Sequence, residues 1–141
     1  MPAVNAMPLP SNGSAPAASP GIAGPILVVE DEPITAKAMT TIVSNAGYLA
    51  LPCARAQEAI QYCQSGRPLA AVLDIHLPDM NGLILAQKLR EQFGARTPII
   101  IVSADTSMET IKSLPHVGAT CFLAKPLNAT LLIKRLRELT A

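Results

Sequence analysis

Leu69-Ala-Ala-Val-Leu-Asp-Ile-His-Leu-Pro-Asp-Met-Asn-Gly82 is the stretch on which the fold turns. An apolar run short enough for a buried strand ends on a carboxylate, Asp74. Pro, Asp, Asn and Gly follow within eight residues and mark a loop. A carboxylate at the end of a buried strand costs desolvation energy unless something compensates it. Two other apolar runs end the same way. Ile26-Leu-Val-Val29 is followed by Glu30-Asp31, and Thr120-Cys-Phe-Leu-Ala124 by Lys125. If those ends converge, a carboxylate cluster stands beside one ammonium group, which is the equipment for a divalent cation and a phosphoryl group.

From Ile26 onward, short apolar runs alternate with amphipathic stretches. The pattern predicts strands over Ile26–Val29, Tyr48–Pro52, Ala70–Asp74, Pro98–Val102 and Thr120–Leu123. It predicts helices over Pro33–Ala46, Ala54–Ser65, Gly82–Phe93, Ser107–Leu114 and Asn128–Thr140. Pro33 suits a first helical turn, and Gly47, Gly66 and Gly94 suit helix stops. Leu83, Ala86, Leu89 and Phe93 share one face of the third helix, and Leu131, Leu132, Leu136 and Leu139 point inward from the fifth. Strands apolar on both faces require cover on both sides. Five β/α units therefore imply a five-stranded parallel, doubly wound α/β sheet, with its site beyond the carboxyl ends of the strands. All the charged run ends fall on that edge.

Composition narrows the function. The chain has 141 residues, enough for one domain, and half of them are apolar. A formal charge of +1 gives no general attraction to nucleic acid or to a membrane. The basic cluster Lys134-Arg135-Arg137 reads as a solvated helix face. The absence of Trp disfavours base-stacking platforms. Cys53, Cys63 and Cys121 lack CxxC spacing and read as free, buried thiols in a reducing cytoplasm. His76 and His116 are too far apart in sequence to suggest a zinc pair. No run approaches the roughly 20 apolar residues of a membrane span. Residues 1–24 are rich in Pro, Ala, Ser and Gly and lack Lys and Arg, which reads as a flexible leader rather than a signal peptide. The domain is then expected over residues 25–141.

Four pieces occur in order, each at the end of an expected strand. They are Val28-Val-Glu-Asp-Glu-Pro33, Leu73-Asp-Ile-His-Leu-Pro-Asp-Met-Asn-Gly82, Ile101-Val-Ser-Ala-Asp105 and Phe122-Leu-Ala-Lys-Pro126. The combination resembles the receiver domain of two-component response regulators, which has a flavodoxin-like (βα)5 fold. The resemblance runs from about Ile26 to Ala141.

It implies a role for each residue. Asp74 matches the phospho-accepting aspartate, and Glu30 and Asp31 match the acidic pair. Ser103 matches the hydroxyl position, Lys125 the family lysine, and Phe122 the aromatic switch position. Pro126 after the lysine often follows a cis bond. Mg²⁺ is the expected cofactor, held by Asp31, Asp74 and the backbone carbonyl of His76, with Glu30 acting through water. Asp74 would then be the nucleophile, Lys125 would neutralise the phosphoryl oxygens, and Ser103 would donate to one of them. His76 and Asp105 occupy the positions that tune how fast water removes the phosphoryl group.

The implied partners are a histidine kinase or a histidine phosphotransfer protein upstream. Downstream, a protein target would meet the face formed by helix four, strand five and helix five. Homodimerisation through that face is known in the family but does not follow from these residues. The chain would be no enzyme beyond its own phosphorylation and dephosphorylation. A stand-alone regulator is the plain expectation; a receiver cut from a hybrid kinase or multidomain regulator is the alternative. A phosphohydrolase using an aspartyl phosphate is a third reading, but it wants a second Asp where His76 stands. A degenerate receiver used only for docking is disfavoured because every acidic, hydroxyl and lysine position is filled. No GxxxxGK[ST] run supports a nucleotide-binding P-loop.

Overall fold

The computed structural model describes residues 24–94 and 96–141. The expected leader lies outside the described residues, except for Gly24. Five strands, β1 (Ile26–Val29), β2 (Ala50–Cys53), β3 (Ala70–Asp74), β4 (Ile99–Ser103) and β5 (Cys121–Ala124), alternate with helices α1 (Pro33–Asn45), α2 (Ala56–Ser65), α3 (Gly82–Phe93), α4 (Met108–Ser113) and α5 (Ala129–Thr140). All the strands are parallel, in the order β2-β1-β3-β4-β5.

The interior strands β1, β3 and β4 are buried along their whole length. Alternate side chains therefore feed two cores. Leu27, Val29, Leu73 and Ile101 meet Ala56, Ala59, Leu85, Ala86 and Leu89 from α2 and α3. Ile26, Val28, Val72 and Val102 meet Met39, Val43, Leu132 and Leu136 from α1 and α5 on the other face. Each fully buried Val, Leu, Ile or Met among them contributes about 1.5–3 kcal/mol of transfer free energy. The register of the central strands is thus strongly specified, because a slip of one residue would exchange the two cores.

Element types match the expectation, and the differences lie at boundaries. Strand two begins at Ala50 rather than Tyr48. Gly47 has φ +98°, and the Tyr48 N–H turns back to the Val43 carbonyl at 3.3 Å, so the chain is still leaving α1 there. Helix two begins at Ala56 rather than Ala54. The fourth helix is shorter than expected, with Ser107 as its N-cap, and a single 3-10 turn over Pro115–Val117 follows it. The fourth and fifth strands each start and end one residue later than expected.

Candidate phosphoacceptor site

β1 and β3 are neighbours although α1, β2 and α2 separate them in sequence. Strand order reverses there, and the carboxyl ends of the two strands open a crevice. β1 delivers Glu30 and Asp31 into it, β3 delivers Asp74, β4 delivers Ser103, and Lys125 follows β5. The residues that the sequence placed on one edge are therefore neighbours in space.

Glu30 is 2% exposed and Asp74 is 5% exposed, so both carboxylates need compensation. Lys125 Nζ lies 2.7 Å from Glu30 Oε1 and 3.6 Å from Asp74 Oδ1. The second oxygen of Glu30 accepts the Glu32 backbone N–H at 3.2 Å. Burial works against the Lys125 ammonium, but the Glu30 hydrogen bond and the charge of Asp74 outweigh it. Its pKa is raised above the ordinary lysine value. The Lys125–Pro126 peptide is cis, and the Lys125 N–H donates to the Ser103 carbonyl at 2.9 Å.

Asp31 is exposed and closes the cluster on the solvent side. One oxygen from each of Glu30, Asp31 and Asp74 lies within 4.8 Å of the other two. Among the described residues, theirs is the grouping of three or more His, Cys, Asp or Glu side chains close enough to share a metal ion. Three hard oxygen donors with one open side suit Mg²⁺, which retains several waters. The donor set therefore fits the ion that the sequence reading called for.

The surrounding loops are tightly set. Glu32 caps α1 by accepting the N–H groups of Thr35 at 2.8 Å and Ile34 at 3.3 Å. Bonds from the Thr35 hydroxyl and N–H hold its carboxyl below the usual range. Gly82 opens α3 against the end of β3, and its N–H reaches the Ile75 carbonyl at 2.6 Å. A Cβ there would sit 2.0 Å from the Asp74 carbonyl oxygen, so only glycine fits. His76 is exposed at the rim. Ser103 is fully buried and its Oγ accepts the Asp105 N–H at 3.1 Å. A hydroxyl donates as well as accepts, so its proton is available to a further acceptor. Asp105 accepts the Ser107 N–H at 3.0 Å and the Thr110 hydroxyl at 2.7 Å. These bonds, and more weakly the charge of His76, hold its carboxyl low. Phe122 is half-buried against the α2–α3 core. His116 lies exposed in the 3-10 turn, outside the acidic cluster.

Sequence reasoning missed Asp79, which it read as part of a turn. Its carboxylate accepts the N–H groups of Ala56 and Gln57, both at 2.9 Å. The available signal was Arg55, a residue that cannot cap, standing where α2 needs an N-cap.

The model of the response regulator receiver domain family matches residues 26–137, and the chain belongs to that family. It is 36% identical over 134 residues to the alkaline phosphatase synthesis transcriptional regulatory protein SphR of Synechococcus elongatus, covering 88% of this chain and 51% of that protein. It is 32% identical over 117 residues to the sensory/regulatory protein RpfC of Xanthomonas campestris pv. campestris, covering 81% of this chain and 16% of that protein. Its fold is similar to that of the chemotaxis response regulator CheY4 of Vibrio cholerae, with a TM-score of 0.76, 28% identity, and 84% and 99% of the two chains covered. The receiver domain of sensor histidine kinase PA1611 of Pseudomonas aeruginosa PAO1, described with magnesium in its active site cleft, gives a TM-score of 0.76 at 26% identity, covering 84% of this chain and 98% of that one. Among the described residues no helix is long and apolar enough to cross a membrane.

Proposed function

We propose that residues 25–141 form a phosphoacceptor domain that receives a phosphoryl group on Asp74 from a histidine kinase or a histidine phosphotransfer protein. The observation that carries this reading is the position of Lys125 Nζ, 2.7 Å from Glu30 and 3.6 Å from Asp74, beside three carboxylates within 4.8 Å of one another. An Asp74 carboxylate oxygen forms the O–P bond as the P–N bond of phosphohistidine breaks, and the imidazole keeps the electron pair. Lys125 neutralises oxygens of the transferring group, and the Ser103 hydroxyl donates a hydrogen bond to one of them. Asp31, Asp74 and the His76 carbonyl would hold Mg²⁺, with Glu30 acting through water. The ion would supply positive charge to the phosphoryl oxygens. His76 and Asp105 flank the approach to the site and set the lifetime of the acyl phosphate.

Movement of Ser103 toward the phosphoryl group would let Phe122 turn inward and reshape the α4–β5–α5 face for a protein target or a second copy of the chain. A partner that binds one state better than the other then reads the signal. The setting is cytoplasmic. A receiver module within a hybrid kinase or multidomain regulator is the second reading, because the chain spans only 16% and 51% of the two relatives named above.

The test is incubation with Mg²⁺ and acetyl phosphate, read by intact mass. A gain of one phosphoryl group in the wild type, absent in Asp74→Asn, supports the reading. A gain that persists in Asp74→Asn overturns it.

A further inference from the structure

Helix α2 has no cap of its own. Arg55 stands at its N-cap and makes no side-chain capping bond, while the Glu58 carboxylate is spent on the Ala54 N–H at 2.9 Å. The first two N–H groups of the helix instead reach Asp79, more than twenty residues further along the chain. Both Asp79 oxygens are used, one for each donor. A carboxylate is favoured at a helix N-terminus, and bonds to a charged acceptor are stronger than neutral ones.

The same residue sits at the tip of the loop that follows Asp74. The base of that loop is closed by the bond from the Gly82 N–H to the Ile75 carbonyl and by pairing of His76 with Asn81. Its tip is held by Asp79, while Leu77 and Met80 on either side pack, partly buried, on the core that contains Ala56 and Ala59. We infer that Asp79 is a positioning residue. It ties the phosphoacceptor loop to the start of α2 and so holds the His76 carbonyl in place for a divalent cation. The cation-binding part of this inference rests on the function proposed above.

The alternative is that Asp79 serves only to cap α2. Three variants separate the two roles: Asp79→Ala, Arg55→Ser, and the pair together. Arg55 already has the extended backbone of an N-cap, with φ −137° and ψ 152°, so serine there supplies a cap from within the helix. The readouts are the urea midpoint, binding of Mg²⁺ alone by calorimetry, and amide exchange at Gly82. Asp79→Ala should weaken Mg²⁺ binding about three- to tenfold and speed exchange at Gly82 by a similar factor. Arg55→Ser alone should leave both unchanged. The double variant should regain the wild-type urea midpoint but keep the weak Mg²⁺ binding and the fast exchange. If Mg²⁺ binding and Gly82 exchange recover together with stability, Asp79 is a helix cap and nothing more. Equal values in Asp79→Ala and wild type overturn the inference as well. A wild type that binds no Mg²⁺ defeats the phosphoacceptor reading instead, and exchange at Gly82 then decides the tether by itself.

Discussion

Replacing Gly82 by alanine puts one methyl group against the backbone of Asp74 and Ile75. The new Cβ would start 2.0 Å from the Asp74 carbonyl oxygen and 2.7 Å from Ile75 Cα, and real Cβ contacts essentially never fall below 3.0 Å. The start of α3 must therefore retreat by about 1 Å, since the opposing atoms are backbone and cannot rotate away. The same retreat would take the bond from the Gly82 N–H to the Ile75 carbonyl, now 2.6 Å, out of hydrogen-bond range. Overpacking costs about 1–3 kcal/mol, and the lost bond about 1 kcal/mol. Alanine returns at most about 1 kcal/mol through helix propensity and the stiffer unfolded chain. The balance is a loss of about 1–4 kcal/mol, read as a lower midpoint with unchanged slope in urea unfolding. A Gly82→Ala protein as stable as the wild type, or more so, would refute the close approach of α3 to Asp74.

Other predictions follow from the charges and thiols. Lys125→Met leaves Glu30 and Asp74 buried without their ammonium and should cost about 2–4 kcal/mol without divalent ions, while Mg²⁺ should restore more stability to the variant than to the wild type in parallel urea titrations. Because folding raises the Lys125 pKa above 10.5, its contribution is complete below that pH and is lost as pH rises through the folded value. The stability gap between the two proteins should therefore hold to about pH 10 and close only above it. Burial pushes the thiols of Cys53 and Cys63 up to about 11 from an ordinary 9.0, so folding stability should fall between those values. At pH 8 a thiol reagent should spare both in the folded chain and label all three cysteines in urea. Exchanging His76 or Asp105 should change the half-life of phosphorylated protein in a timed decay by about tenfold; unchanged half-lives for both would remove them from that role.

The sequence was most legible where one physical cause dominated. β1, β3 and β4 could be read because burial on both faces demands unbroken apolar runs, and the site could be placed because the runs of β1, β3 and β5 end in charge. β2 and β5 lie at the sheet edges, where burial is partial and the apolar signal weaker; the start of β2 moved most, by two residues, while β4 and β5 each moved by one. The start of α2 was misplaced because its cap comes from Asp79; Arg55 marks locally that a cap is missing, but nothing local names the distant residue that supplies it. The same holds for Arg90, whose guanidinium joins α3 to the Gly118 carbonyl at 2.7 Å. Periodicity reports what a segment buries, whereas these bonds depend on which loops the finished sheet brings together.

The proposed function stands or falls on a covalent phosphoryl group at Asp74. Borohydride reduces an aspartyl phosphate to homoserine, so peptide mass analysis of protein trapped after incubation with Mg²⁺ and a phosphoryl donor reports the modified position. Homoserine should appear at position 74 only when both Mg²⁺ and the donor are present. Intact Asp74 under those conditions, or homoserine at Asp31 instead, would contradict it.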